Sequence, residues 1–219
     1  MDTETKKLIE ENKIIAIIRK VYGNDLIQLA HALYSGGINL LEITFDQVDP
    51  DCIQKATDSL ALIANNVSEM VLGAGTVLDK AQVDAAVASG ARYIVSPNTD
   101  EEVISRSKQM GVVSIPGAMT PTEMVNAIHC GADYVKVFPV SDLGLKYMKD
   151  VMSPLDHIKF IATGGINLEN FSDYLDIGFV AAGIGGHLTD KKLIEKGDFS
   201  EFTNRARGFV EIARRFAND

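Results

Sequence analysis

The residue with the clearest chemical potential is Lys136, which stands inside the run Tyr134-Val135-Lys136-Val137-Phe138-Pro139. The aliphatic neighbours of Lys136 are typical of a parallel strand that is buried on both faces. Burial disfavours an ammonium group, lowers the pKa of the lysine and leaves a neutral amine. A neutral amine on a rigid strand can attack a carbonyl carbon and form a Schiff base. Two structural alternatives are an ammonium that reaches solvent from the strand end and one that is fixed in an ion pair.

Other candidate residues lie in or directly after further short apolar runs. In chain order they are Arg19, Glu42, Thr44, Thr76, Pro97, Phe138, Thr163, Gly164, Gly165, Gly185 and Gly186. All of them are candidate site residues.

Alternation along the runs indicates that the charged candidates share one face. Side chains of a strand point alternately to opposite faces, and Arg19 has the parity of Ile17, while Lys136 has that of Tyr134. Glu42 lies between aliphatic residues that suit the opposite face. We therefore expect Arg19, Glu42 and Lys136 to point toward a common interior.

Each candidate also has an ordinary structural interpretation. Glu42 could neutralise Lys136 in a buried pair without catalysis. Arg19 could be a solvated charge at a strand end. Thr44 and Thr76 could be strand threonines, and the glycines could form tight turns without a ligand.

The elements that position these residues alternate between short β-branched runs and amphipathic helical stretches. The predicted strands are Ile14–Ile18, Leu40–Thr44, Met70–Ala74, Tyr93–Ser96, Val112–Ile115, Tyr134–Phe138, Lys159–Ala162 and Phe179–Ala182. The predicted helices are Asp25–Tyr34, Asp51–Asn65, Lys80–Ser89, Asp100–Gln109, Thr122–His129, Leu143–Met152, Leu168–Leu175 and Ser200–Phe216, and the polar segment Asp190–Asp198 is expected to be a loop.

Eight strand–helix units predict a (β/α)8 TIM barrel, an α/β fold, as a single domain over residues 1–219 with an N-terminal helix. A doubly wound open sheet is the alternative, but no GxGxxG sequence follows the first strand. In a barrel the candidates would gather at the carboxyl ends of the strands, where active sites form. Glycine turns after the seventh and eighth strands commonly present N–H groups to a phosphate.

Composition excludes several functional classes. The 219 residues carry a formal net charge of −9, which argues against nucleic acid or an anionic membrane as a partner. Two cysteines without a CxxC spacing favour a reduced, cytoplasmic setting, and residues 1–13 lack the apolar core of a signal peptide. No apolar run approaches the ~18 residues that span a membrane. The four histidines show no metal-binding spacing. His187 follows the last glycine turn and could approach the site, but it is expected at the start of a helix.

The ordered motifs together resemble the 2-keto-3-deoxy-6-phosphogluconate (KDPG) / 4-hydroxy-2-oxoglutarate aldolase family. They are Ile14–Arg19, Gly36-Gly37-Ile38, Leu41-Glu42-Ile43-Thr44, Gly73-Ala74-Gly75-Thr76-Val77-Leu78, Val95-Ser96-Pro97, Ile115-Pro116-Gly117, Val135-Lys136-Val137-Phe138-Pro139 and Ala162-Thr163-Gly164-Gly165-Ile166.

The resemblance implies a class I aldolase without a metal or other cofactor, a carbon–carbon lyase that assembles as a homotrimer. It implies Lys136 as the Schiff-base lysine and Glu42 as the general acid/base. The substrate pocket would be lined by Thr76, Pro97, Phe138, Thr163, Gly164 and Gly165. Its substrate would be a 2-keto acid, either KDPG, the galactonate epimer of KDPG or 4-hydroxy-2-oxoglutarate, cleaved to pyruvate and an aldehyde.

Two positions depart from the best-known members of that family. Asp46 stands where those members carry an arginine, and Gly186 stands where they carry a serine that helps to hold the distal phosphate. Arg19 is expected to replace the first of these contacts to the substrate. Two rival functions remain: a phosphate-binding barrel isomerase or transferase that forms no imine, and a ligand-binding relative without catalysis.

Overall fold

The computed structural model describes residues 2–216, which form a parallel β-barrel surrounded by helices. The strands are β1 (Ile14–Ile18), β2 (Leu40–Thr44), β3 (Val71–Gly75), β4 (Tyr93–Val95), β5 (Val113–Ile115), β6 (Gly117–Ala118), β7 (Val135–Val137), β8 (Phe160–Thr163) and β9 (Ala181–Ile184). Neighbours follow chain order, and β9 pairs with β1. The predicted (β/α)8 architecture is confirmed.

The nine strands of residues 2–216 make eight barrel positions because Pro116 divides the fifth position into β5 and β6. β5 pairs with β4, and β6 pairs with β7. The carbonyl oxygen of Pro116 still accepts from the Lys136 N–H at 2.9 Å. Proline has no N–H to give to a ladder, so an interruption at this residue is expected. The sequence prediction stopped this strand at Ile115 and missed the short β6 segment.

The helices are α1 (Asp2–Asn12), α2 (Gly23–Ser35), α3 (Cys52–Asn66), α4 (Lys80–Ala88), α5 (Glu101–Gln109), α6 (Pro121–His129), α7 (Val140–Met152), α8 (Phe171–Asp176), α9 (Lys191–Glu195) and α10 (Phe199–Arg214). All predicted helices are present with small shifts of their ends. The expected loop Asp190–Asp198 is wrong in part, because it contains α9, whose first turn is capped by the Asp190 carboxylate. The predicted domain bounds, 1–219, include Met1 and residues 217–219, which lie outside the described range.

Strand alternation separates two apolar clusters. The inner cluster fills the barrel, and its members on strands or directly before one are Ile15, Leu40, Val71, Tyr93, Val95, Val113, Ile115, Tyr134, Ile161 and Ala181. The outer cluster packs the opposite strand faces against the helices, for example at Leu41 and Val135. The predicted parity of the strands is therefore confirmed.

Helix α1 closes the amino-terminal end of the barrel. Its Ile9 is fully buried and belongs to the inner cluster. Around it, Glu10 accepts from the Tyr134 hydroxyl at 2.6 Å and from Lys159 Nζ at 2.7 Å. The opposite, carboxyl end of the barrel stays accessible. Over residues 2–216, no helix has the length and apolar character that crossing a membrane requires.

Candidate active site

A cavity of about 750 Å³ opens at the carboxyl ends of the strands. The predicted site residues that line it are Arg19, Glu42, Thr76, Pro97, Lys136, Phe138, Thr163, Gly164, Gly165, Gly185 and Gly186. They come from strands or following turns all around the barrel, so residues far apart in the chain share one cavity wall. Thr44 is the only predicted site residue that does not line this cavity.

Lys136 and Glu42 face the cavity from opposite sides of the barrel. Glu42 is on β2 and Lys136 on β7, and these strands lie four barrel positions apart in either direction. Their side chains are only 2% and 7% exposed. Within residues 2–216, neither a hydrogen bond nor a salt bridge joins the two groups, which interact through space. A small carbonyl compound therefore has room to approach the amine beside the carboxyl group.

Burial controls the protonation of both groups. Desolvation raises the pKa of Glu42 above its ordinary value, against the opposing charges of Lys136 and Arg19. Desolvation also lowers the pKa of Lys136, and Arg19 lowers it further, while the Glu42 charge acts in the opposite direction. A lysine with a lowered pKa supplies more neutral amine, the form that adds to a carbonyl.

Phe138 forms an apolar wall next to the amine. Lys136 Nζ lies 5.0 Å from the centroid of the Phe138 ring. The ring is itself partly exposed at the cavity rim. It keeps water from one side of the amine while its face tolerates the cationic form.

Thr76 occupies a strained turn after β3. Its φ of 56° lies in the left-handed region, which is rarely adopted by β-branched residues. A pair of glutamines holds this turn: Gln47 donates to the Thr76 carbonyl oxygen at 2.6 Å, and Gln82 accepts from the Leu78 N–H at 2.8 Å. The two glutamines also bond to each other at 2.9 Å. Backbone strain of this kind persists where surrounding contacts hold it, and it often marks a functional position.

Thr44 and Asp46 have partners elsewhere. The Thr44 hydroxyl donates to the Ile18 carbonyl oxygen at 3.2 Å, which ties β2 to β1. Asp46 forms an ion pair with Lys20 at 2.8 Å. Asp46 therefore has a local cation as its partner, while Arg19 lines the cavity.

The sequence prediction missed several residues of the cavity wall. They are Ile17, Ile166, Asn167, Gly183, His187, Thr189 and Lys191. His187 was expected to start a helix, but it lies in the turn after β9, where its ring packs edge-on against Phe209. Lys191 is the first residue of α9. Because a loop was predicted there, Lys191 was not recognised as a site residue. A positive charge shortly after the turn at Gly185 and Gly186 was the sequence feature that could have identified Lys191.

The first of the two glycine turns, after β8, has a conformation that depends on glycine. Gly164 and Gly165 have φ values of 95° and 77°, which are strained for other residues. A side chain at Gly165 would also overlap Ser141. Within residues 2–216, the N–H groups of Gly165 and Gly186 donate to no backbone carbonyl, so both are available to an anion. In the same range, no cluster of three or more potential metal ligands occurs.

Comparisons with known proteins identify the family. The sequence model of the family described as Aldolase: KDPG and KHG aldolase matches residues 5–205. The chain is 33% identical over 205 residues to a 2-dehydro-3-deoxy-phosphogluconate aldolase of Treponema pallidum, covering 93% of this chain and 95% of that protein. It is 34% identical over 176 residues to a 2-dehydro-3-deoxy-6-phosphogalactonate aldolase of Escherichia coli, covering 80% and 83%.

A solved structure gives the same result. The KDPG aldolase from Legionella pneumophila, with pyruvate captured as a covalent carbinolamine intermediate, superposes with a TM-score of 0.83 at 28% identity, covering 92% of this chain and 96% of that chain. These matches do not favour the first rival function, a phosphate-binding isomerase or transferase. They also do not favour the second, a ligand-binding relative without catalysis. The chain belongs to the KDPG and KHG aldolase family and is a class I aldolase, a carbon–carbon lyase.

Proposed function

We propose that this aldolase cleaves a 2-keto acid with a C4 hydroxyl group, a KDPG-like sugar acid phosphate or 4-hydroxy-2-oxoglutarate, to pyruvate and an aldehyde. The aldehyde would be glyceraldehyde 3-phosphate in the first case and glyoxylate in the second. The observation that carries the proposal is a buried lysine and a buried glutamate that face one cavity from opposite strands. The names of the relatives support this substrate class.

Lys136 forms the covalent intermediate in this mechanism. Its neutral amine attacks the C2 carbonyl, and loss of water gives a protonated imine. The positive nitrogen then draws electrons from the C3–C4 bond as that bond breaks. The products of cleavage are the aldehyde and an enamine of pyruvate, which takes a proton at C3. Water hydrolyses the resulting imine and returns the free amine.

Glu42 moves the protons of these steps. As a carboxylate it accepts the proton of the C4 hydroxyl while the C3–C4 bond breaks. During imine formation it transfers protons to and from the C2 oxygen, directly or through a water. The raised pKa of Glu42 lies closer to neutral pH, where the carboxyl group can both accept and donate a proton.

Arg19 and Thr76 hold the carboxylate of the substrate. Arg19 lines the cavity near Lys136 and Glu42, and its guanidinium can bind a carboxylate through two parallel hydrogen bonds. Thr76 lines the same cavity and can add a hydroxyl contact. Pro97 and Phe138 limit water around the reacting carbons.

The glycine turns and Lys191 receive the distal end of the substrate. N–H groups at Gly165 and Gly186 suit a phosphate or a carboxylate. Lys191 adds a positive charge on the same wall, where Gly186 offers no side chain to replace the family serine. A phosphate can therefore be bound in this cavity without that serine.

Borohydride trapping tests the proposed lysine. Reduction in the presence of pyruvate, followed by peptide mass mapping, should place one adduct on Lys136. Lys136→Ala should abolish the adduct, whereas substitution of exposed Lys146 should retain it. Labelling of another lysine, or of none, would contradict the mechanism.

Kinetics test the proposed acid/base and the substrate. Glu42→Gln should lower kcat/KM by about 10²–10⁴ while circular dichroism remains native. Pyruvate release from KDPG, from its galactonate epimer and from 4-hydroxy-2-oxoglutarate then ranks the substrates. Turnover of none of the three would refute the proposed substrate class.

We also infer a cytoplasmic homotrimer that acts in carbohydrate metabolism of the Entner–Doudoroff type. Two free cysteines, both only part-buried, suit a reducing compartment. The family resemblance supports the trimer, and sedimentation equilibrium tests it directly. A monomer or dimer over the micromolar range would exclude the trimer.

A further inference from the structure

Tyr93 places a phenol hydroxyl in the barrel interior without a hydrogen-bond partner among residues 2–216. The side chain is fully buried, at 0% exposure. Phenylalanine would fill the same space without a buried polar atom, and buried polar atoms nearly always form hydrogen bonds. Packing alone therefore does not account for the hydroxyl.

The sheet register puts Tyr93 in one row with Glu42. Glu42 on β2 pairs with Gly73 on β3, and Gly73 pairs with Tyr93 on β4. Two strand spacings of about 4.8 Å separate the backbones of Glu42 and Tyr93 by roughly 10 Å. The residue between them is a glycine, so no intervening side chain blocks the row.

The glycines of β3 accommodate both side chains. A side chain at Gly73 would overlap the Tyr93 ring, so the ring lies across Gly73 on the side of β2. A side chain at Gly75 would overlap Oε1 of Glu42. The ring of Tyr93 and the carboxyl group of Glu42 thus lie over neighbouring glycines of one strand.

Tyr93 is an uncharged hydrogen-bond donor among the titratable groups near Glu42. Those groups are the Lys136 amine, the Arg19 guanidinium and the Tyr93 phenol. Burial, and then the charge of Glu42, raise the pKa of Tyr93 well above its ordinary value. The phenol is therefore protonated at neutral pH and can only donate its hydrogen toward a carboxylate.

We propose that Tyr93 is a positioning residue whose hydroxyl donates, through one bound water, to the Glu42 carboxylate. The inference rests on the proposed role of Glu42 as the acid/base. A hydrogen bond to the charged form favours that form, so Tyr93 keeps Glu42 ionised at lower pH than burial alone would allow. It also fixes the carboxylate orientation without occupying the space in front of Lys136.

Carbon-13 NMR of glutamate carboxyl groups tests the inference directly. The Glu42 resonance is identified by its loss in Glu42→Gln, and its titration is compared between the wild type and Tyr93→Phe. The pKa of Glu42 should rise by about half a unit or more in Tyr93→Phe. The acid limb of the kcat/KM profile should move to higher pH by the same amount.

Tyr134→Phe is the matched control. Tyr134 is also a buried phenol of the inner cluster, but it donates to Glu10 at the closed end of the barrel. This variant should leave the Glu42 titration and the acid limb unchanged. Incorporation of 3-fluorotyrosine at position 93, which makes the phenol a stronger donor, should shift the pKa of Glu42 downward.

Two outcomes overturn the inference: an unchanged Glu42 titration in Tyr93→Phe, or an equal shift in Tyr134→Phe. If Tyr93→Phe folds poorly, the enzyme with 3-fluorotyrosine at position 93 tests the same hydrogen bond. An unchanged Glu42 titration in that enzyme would refute the inference. Failure of the proposed function has a different signature, namely no borohydride adduct on Lys136. The NMR titration remains readable in that case.

Discussion

At the scale of single residues, the protonation of Lys136 depends on two opposing effects. Burial lowers its pKa from the ordinary value of 10.5, whereas the nearby charge of Glu42 raises it. Glu42 therefore affects imine formation even before it transfers a proton. The contribution of Glu42 can be separated from that of burial by a substitution that removes the Glu42 charge.

The rate of borohydride trapping with pyruvate should reveal this balance. In the wild type the rate should rise with pH through an apparent pKa below 10.5, because only the neutral amine reacts. Glu42→Gln removes the stabilising charge, so that apparent pKa should move lower still. Asp46→Asn, which alters a carboxylate paired with Lys20, is the control and should not move it. An upward shift in Glu42→Gln would contradict the assigned directions.

Lys191 should discriminate between substrates by the position of their distal charge. Lys191→Ala should raise KM for KDPG by about two- to fivefold, since an exposed charge contributes modestly. KM for 4-hydroxy-2-oxoglutarate, whose distal carboxylate lies closer to C2, should change less. Lys192→Ala on the same short helix is the matched control. An equal change of KM for both substrates in Lys191→Ala would show that Lys191 does not bind the distal group.

At the scale of elements, the barrel strands supply the rigid part of the site, and the turns after them supply the strained part. β2 and β7 hold Glu42 and Lys136 within regular ladders. The turn after β3 instead needs side-chain support, which Gln47 and Gln82 provide. Helix α1 acts only at the opposite end, where Ile9 closes the core.

Gln82→Leu should therefore impair binding through the Thr76 turn. The change removes the Gln82 side-chain oxygen, which accepts from the Leu78 N–H and from the Gln47 amide. The free energy of unfolding, measured with urea, should fall by about 1–3 kcal/mol. KM for the keto acid should rise while borohydride still labels Lys136. Gln54→Leu, on an exposed part of α3, should change neither quantity. An unchanged KM in Gln82→Leu would show that the strained turn does not depend on this contact.

At the scale of the whole molecule, the buried charges of the site reduce stability. Glu42 and Lys136 are buried titratable groups without a salt bridge between them, and replacing buried charges with uncharged side chains of similar volume often stabilises a protein by about 1–4 kcal/mol. The double variant Glu42→Gln, Lys136→Met should therefore unfold at higher urea concentration than the wild type and be inactive. A double variant less stable than the wild type would indicate that the pair holds the barrel together.

The single variant Lys136→Met adds a pH signature to the same measurement. It removes the cation whose charge lowers the pKa of Glu42 most, so the pKa of Glu42 should rise further. A carboxyl group with a raised folded pKa binds a proton more tightly in the folded state. The stability of Lys136→Met should therefore be highest below the unfolded pKa and fall as pH rises through the folded pKa.

Much of this molecule follows from local sequence alone. Alternation in β1, β2 and β7 predicts inward-facing Arg19, Glu42 and Lys136, because side-chain direction in a strand has a period of two. Eight strand–helix units predict the barrel, and the order of the motifs predicts the family. Closure of the barrel then places the residues at the carboxyl ends of the strands around one cavity.

Other features were decided only by tertiary contacts. The hydroxyl of Thr44 bonds across to β1, the Pro116 interruption depends on which strand pairs with which, and Lys191 reaches the cavity through a short helix that local sequence did not indicate. Tyr93 looks like an ordinary strand tyrosine in the sequence. Its place beside Glu42 arises from the register of three strands, and register links residues that lie about fifty positions apart in the chain.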